Sequence, residues 1–273
     1  MKHAILLLSS YGVDYLNNFL DQFNNDKRYD IFINIDGKSK LDFDNHREII
    51  TSNIKYIGHI YESKRYSLEM VYVMYELLFI AYNTSKYDYF HFFSESCYFV
   101  KSLDEFYNFF INNNYKSYIK YSKINKVLYK NVSETFIWGS QWMSLHNNIV
   151  KKLIDSKDIY NYFKNKNGNF KMPLIYNCPD ESVLHKIIVN YICKGNAEKC
   201  NITNKNLRYI RFKRSKSHPD ELNLDNVVKK EINFIALNCF IIRKINYKDI
   251  KALKLIKAIK DFYNTYHKRI KYL

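Results

Sequence analysis

The sequence predicts an α/β fold in a single domain, with a mostly parallel central sheet flanked by helices and a basic helix at its C-terminal end. Three observations carry this prediction. Strand-like and helix-like patterns alternate through residues 1–110, the pattern of repeated βα units. The strand-like runs are short, and the first, Ala4–Leu8, is continuously apolar, as a strand covered on both faces is. No internal repeat and no Gly/Ser-rich linker interrupts the 273 residues. A chain of this length buries a substantial core, and 47% hydrophobic with 17% aromatic residues excludes a disordered one.

The elements follow in order. Ala4–Leu8 is a continuous apolar strand, and Asp14–Phe23 places Tyr15, Leu16, Phe19, Leu20 and Phe23 at helical spacing. Asp30–Ile35 is a second strand ending on the turn signal Asp36-Gly37, and Asn53–Ile60 is a third. Leu68–Tyr82 reads as a long apolar helix and Tyr87–Phe93 as a strand. Asp104–Ile111 starts a helix with Ser102 as its N-cap and Glu105 three residues on, a capping box. Thr135–Leu145 reads as strand and turn, Asn147–Ile154 as a helix, and Asp155–Lys171 as a polar loop or frayed helix. Pro179–Ile192 is a helix whose first turn suits the proline. Leu207–Phe212 is a strand. Tyr247–Leu273 is a basic amphipathic helix with Leu253, Ile256, Ile259, Phe262, Tyr263 and Tyr266 on one face.

Charge divides the chain more sharply than composition does. Residues 1–110 hold 11 Lys/Arg against 15 Asp/Glu, whereas residues 111–273 hold 32 against 12. The formal charge of +16 therefore belongs to the C-terminal part, which suits a polyanion, a diphosphate or an anionic membrane surface. Nucleic acid is not expected, because no nucleic-acid motif accompanies the charge and the 26 Tyr form no grouped stacking platform. The five Cys show no CxxC and no Cys/His spacing, so neither a disulfide framework nor a zinc site is expected. Ala4–Leu8 is too short to span a membrane and lacks a cleavage region. A cytoplasmic protein is expected, with peripheral contact to the inner face of the membrane through the basic helix.

Gly-rich phosphate loops, HExxH and GxSxG are absent. Asp42-Phe43-Asp44 fits the metal-anchoring DxD pattern but lies in a polar stretch, where a surface loop is the plainer reading. Other segments form an ordered series. They are Ala4–Ser9 with the helix after it, Ile33-Asn34-Ile35-Asp36-Gly37-Lys38-Ser39, Ser67–Tyr82, and the run Asp88–Phe99 around Ser94-Glu95-Ser96-Cys97. Gly139-Ser140-Gln141-Trp142-Met143-Ser144-Leu145, Cys178-Pro179-Asp180-Glu181-Ser182, and Arg208–Pro219 through Phe240–Ile245 complete it. In this order the series resembles the core-2/I-branching β-1,6-N-acetylglucosaminyltransferase family. The resemblance implies a GT-A-like fold and an inverting, metal-independent glycosyltransferase without a cofactor. It implies a UDP-sugar donor and an oligosaccharide or lipid-linked glycan acceptor.

By the same resemblance Glu181 is the catalytic base, a role that needs one carboxylate beside the acceptor hydroxyl. The plainer reading is that Asp180 and Glu181 complement a helix dipole. Lys244, with Arg243, falls where the family neutralises the departing diphosphate. The family's second basic group has no aligned Arg here, and Arg211, Arg214, Lys216 and His218 remain open. Asp36 and Lys38 fall at the donor-binding strand end. Trp142 with Ser140 is the candidate acceptor platform, core packing being the alternative for Trp142 and for Trp138. Cys97 stands where the family has Asp and Phe99 where it has Pro, and Glu95 is the candidate to compensate.

Overall fold

The computed structural model describes residues 1–23, 26–37, 39, 53–60, 67–129, 132–165, 178–212 and 219–271. Lys38, Arg214, Lys216, His218 and the Asp42-Phe43-Asp44 motif lie outside them. The chain opens with β1 (His3–Ser9), α1 (Val13–Asp21), β2 (Tyr29–Ile35), β3 (Ile54–Gly58), α2 (Glu69–Thr84), β4 (Tyr89–Ser94), β5 (Tyr98–Phe99) and α3 (Leu103–Ile111). There follow β6 (Ser117–Tyr118), β7 (Tyr121–Tyr129), β8 (Val132–Gly139), β9 (Ser144–His146), α4 (Asn147–Asp155) and α5 (Lys157–Asn165). A 3-10 turn (Pro179–Glu181), α6 (Val183–Lys186) and a π-helical turn (Ile187–Ile192) come next. The chain closes with a 3-10 turn (Glu198–Cys200), β10 (Ile202–Thr203), β11 (Arg208–Ile210), α7 (Lys229–Asn238), β12 (Ile241–Arg243) and α8 (Ile250–Lys271).

These elements form two compact units, each discontinuous in sequence. The first comprises Met1–Gly12, Asn25–Phe93 and Tyr115–Lys205. It holds the seven-stranded sheet, in the order β10-β6-β9-β4-β1-β2-β3. β1, β2 and β3 run parallel, as do β10 and β6, while β9 runs antiparallel to β4 and β6. Every residue of β1, β2 and β4 is buried, which is why Ala4–Leu8 of β1 reads as a continuous apolar run and not as an alternating one. α2 covers β1 and β2 and meets α4. A buried polar row crosses the sheet, His3 Nδ1 lying 3.0 Å from His91 Nε2 and His91 Nδ1 lying 2.9 Å from Ser144 Oγ. The β7–β8 hairpin projects from the same unit.

The second unit comprises Val13–Asn24, Ser94–Asn114 and Asn206–Leu273. Its three-stranded sheet has the order β11-β12-β5, with β11 parallel and β5 antiparallel to β12. α3 starts on the expected capping box, Ser102 Oγ accepting from the Glu105 N–H at 3.2 Å and Glu105 accepting from the Ser102 N–H at 2.9 Å. α8 packs inward through Ala252, Leu255, Ile256 and Ile259, against Ile235 and Ala236 of α7 and Ile242 of β12. Each fully buried Leu or Ile contributes about 2 kcal/mol to this packing.

Two segments differ from the sequence reading, and a third is decided between its alternatives. The inward face of α8 is rotated from the expected stripe, so Leu253 and Tyr266 are exposed. The small Ala252 permits close packing there. Residues 179–192 are not one α-helix. Ser182, at φ −135°, separates the 3-10 turn from α6, and the Cys193 N–H bonds back to the Ile188 carbonyl, a π-type span. Of the two readings offered for Asp155–Lys171, the helical one holds over Lys157–Asn165, which form α5. No helix among the described residues is long and apolar enough to cross a membrane.

Candidate active site

In the first unit the candidate base and the Gly139-Ser140 turn come together. Pro179 opens the 3-10 turn, where its fixed φ and missing N–H cost nothing, and it is buried. That anchors Asp180 and Glu181 immediately after it. The Glu181 N–H donates to the Cys178 carbonyl at 3.1 Å. Its carboxylate Oε2 accepts the Trp138 indole N–H at 2.5 Å, a charge-assisted bond that fixes the side chain. Trp138 stands on β8 opposite Ser122 of β7, and Gly139 stands opposite Tyr121.

His185, on α6, ties the turn to the segment that carries Glu181. Its Nε2–H donates to the Ser140 carbonyl at 3.0 Å, and the Ser140 N–H donates to the Lys120 carbonyl at 2.9 Å. Burial pulls the His185 pKa down to about 4, the bond to Ser140 opposing the shift, so the ring is neutral and its Nε2 carries the proton. Gly139 is required at this approach. A Cβ there would lie 2.0 Å from the Lys120 carbonyl oxygen and 2.8 Å from the His185 ring. Ser140 Oγ is itself buried.

The two tryptophans part company. Trp142 is buried, at 9% exposure, whereas Trp138 is 48% exposed. Trp142 therefore packs inside, and the ring beside the candidate base is that of Trp138. Strand alternation carries this signal, since Ile137 is fully buried and the next residue on a strand faces the other way.

Asp36 follows β2 at the carboxyl end of the parallel strands, where open α/β sheets bind ligands. Its N–H donates to the Ser9 carbonyl at the end of β1 (2.9 Å), and its carbonyl accepts from the Ser39 N–H (2.8 Å). On the same rim the His59 Nδ1–H donates to the Ile35 carbonyl at 2.9 Å.

The basic candidates lie in the second unit and divide among themselves. Arg243 closes β12, and its Nε–H donates to Ser94 Oγ at 3.0 Å. Ser94 in turn lies 3.1 Å from Ser96 Oγ and 3.6 Å from Cys97 Sγ. Lys244 is 3.8 Å from a carboxylate oxygen of Glu221. Arg211 belongs to a structural group: its Nη1 lies 3.5 Å from Glu231, which also accepts from the Tyr209 hydroxyl at 2.6 Å and from the Val228 N–H at 3.0 Å. The Tyr209 bond is the largest influence holding the Glu231 carboxyl below its usual range. Glu95 is fully buried.

Arg208 is the residue that sequence reasoning missed. On β11 it pairs with Ile241 of β12, so it shares a sheet face with Arg243 two residues on. It is 4% exposed. Burial lowers its guanidinium pKa to about 10, with Cys97 opposing that shift and Arg243 adding to it; it remains charged at neutral pH. The signal available was an Arg between Leu207 and Tyr209, within an otherwise apolar strand. Arg208, buried, and Arg243, half-buried, thus lie on one face of this sheet, with Lys244 directly after Arg243.

The sequence model of the Core-2/I-Branching enzymes matches residues 13–236, most of the chain. The chain belongs to the Core-2/I-Branching enzyme family. It is a glycosyltransferase, and family and topology together give the GT-A-like α/β class that the sequence predicts. No curated protein matches this family member. Among solved structures it is similar to the Streptococcus pneumoniae glycosyltransferase GlyE, at 8% identity and a TM-score of 0.43, over 98% of this chain and 64% of that one. It is similar to TarS from S. aureus at 12% identity and a TM-score of 0.42, over 97% of this chain and 43% of TarS. HddC from Yersinia pseudotuberculosis is similar at 10% identity and a TM-score of 0.34, over 56% of this chain and 80% of that one.

Proposed function

We propose that this enzyme moves N-acetylglucosamine, xylose or a similar sugar from a UDP-sugar to a glycan hydroxyl, with inversion and without a metal, in surface polysaccharide or glycan synthesis. The acceptor is an oligosaccharide or a lipid-linked glycan. The observation that carries the reading is the Glu181 carboxylate, fixed by the Trp138 indole on a turn that Pro179 and His185 hold in place.

The reaction follows from charge. The acceptor oxygen attacks the anomeric carbon from the face opposite the diphosphate. Glu181 takes the hydroxyl proton as the new C–O bond forms, so the attacking atom develops no full positive charge. The bond to UDP breaks on the other side, and the diphosphate leaves with its added negative charge. Arg208, Arg243 and Lys244 neutralise that charge, the work cations do for a developing oxyanion. Arg208 takes the place of the second basic group, Arg211 being occupied with Glu231. Asp36 accepts hydrogen bonds from uracil or ribose hydroxyls at the strand end.

A panel of UDP-sugars, scored by release of UDP, tests the reading. Turnover of at least one donor is expected. Release from none of them, alongside turnover of a donor carrying another nucleotide, would remove UDP from the account.

A further inference from the structure

We infer that Trp138 is the platform on which the acceptor's sugar ring lies, an assignment that rests on Glu181 being the base. Single exposed aromatic residues are ordinary on protein surfaces, so exposure alone decides nothing. Trp138 differs in two respects. Its position is over-determined: β8 is paired to β7 at this residue, and the next residue admits no Cβ because it lies between the Lys120 carbonyl and the His185 ring. Its edge is also chemically engaged, by the 2.5 Å bond to Glu181.

An indole N–H points along the ring plane, so that bond engages the ring's edge, and Trp138 is 48% exposed. A sugar presents a C–H face that packs on an aromatic face at about 4 Å. A ring resting there projects its equatorial hydroxyl groups past the indole edge, where the Glu181 carboxylate is waiting. One side chain thus binds the acceptor and fixes the base that deprotonates it. Trp142, buried at 9% exposure, presents no comparable face. Through the Ser140 carbonyl, His185 acts as the positioning residue for the strand end that carries the platform.

The test uses methyl glycosides of glucose, galactose, xylose and N-acetylglucosamine as acceptors, scored by UDP release above the acceptor-free rate. The best of them is carried into the wild type, Trp138→Phe, Trp138→Ala and Glu181→Gln. Trp138→Ala should raise the acceptor KM about tenfold, the loss of one stacking contact, with the donor KM unchanged. Trp138→Phe keeps a face and loses the N–H. It should hold the acceptor KM closer to wild type while lowering kcat, and it should move the acid limb of the pH–rate profile to higher pH, since the charged carboxylate loses a donor. Binding without turnover gives a second readout: the acceptor should perturb tryptophan fluorescence in Glu181→Gln, and the change should vanish when Trp138→Phe is added.

An unchanged acceptor KM in Trp138→Ala overturns the proposal, as does an equal rise in donor and acceptor KM. Silence of all four glycosides, with donor hydrolysis intact, also overturns it. Wild-type turnover in Glu181→Gln would instead defeat the assignment of the base. An inactive Glu181→Gln beside a Trp138→Ala that binds acceptor normally would defeat the platform alone.

Discussion

Replacing His185 by Gln should flatten the acid side of the stability curve. In an unfolded chain imidazole binds its proton near pH 6.5, whereas in the native protein burial delays protonation of His185 to about 4. Between those values the unfolded state carries about one proton more than the native state at this site, so stability falls as pH falls. Above pH 6.5 the residue is neutral in both states and contributes no slope. Below about pH 4 the loss is complete, and about 2.5 pH units at about 1.4 kcal/mol each come to roughly 3.5 kcal/mol. Gln retains an N–H for the Ser140 carbonyl and has no proton to gain. His3 is held down to about 3, chiefly by burial, and contributes the same slope to both proteins, so the difference between them isolates His185. Urea unfolding of each protein from about pH 8 to about pH 4.5 measures that difference. The two curves should run parallel above pH 6.5 and diverge below it, wild type losing more. Parallel curves throughout would refute the reasoning, because His185 would then be protonated as readily in the native state as in the unfolded one.

Lys244→Ala should weaken UDP binding far more than uridine binding, since the proposed partner is the diphosphate; calorimetry with both ligands checks this, and equal losses would assign the residue to the fold. Activity should survive chelation, because Arg and Lys side chains supply the charge that a cation would otherwise supply; loss in EDTA with rescue by Mn²⁺ would contradict that. Gly139→Ala forces a Cβ to 2.0 Å from the Lys120 carbonyl. It should destabilise the protein by about 1–3 kcal/mol, the usual cost of overpacking, and a melting curve at wild-type Tm would show that the turn has room.

Much of this architecture was legible because single residues carried it. Ser102 and Glu105 announced the start of α3, and the apolar run of β1 announced a buried parallel strand. Gly139 and the Pro179-Asp180-Glu181 run marked the two halves of the first unit's candidate site. The elements that escaped are those whose stability is not local. β5, β6, β10 and β12 are only two or three residues long, too short for any periodicity, and each exists because a distant strand pairs with it. The placing of Arg208 beside Arg243 escaped for the same reason. Arg208 acquires its relation to Arg243 through the pairing of β11 with β12, whose partners Arg208 and Ile241 are 33 positions apart, and no spacing rule expresses that. Trp142 was preferred to Trp138 because it lies within the Gly-Ser-Gln-Trp motif, whereas the strand's alternation decides which ring is exposed. The break at Ser182 and the π-turn after it depend on how residues 178–193 pack, and a run rich in Ile and Val reads equally well as an uninterrupted helix.

Turnover of Glu181→Gln tests the central claim most directly. The substitution preserves shape and an acceptor for the Trp138 N–H, and removes only the capacity to take a proton. With the fold and UDP affinity intact, turnover should fall by about 10²–10⁴-fold, the contribution of a positioned general base. A variant that turns over at the wild-type rate would contradict the account, because the acceptor's proton would then be leaving by another route.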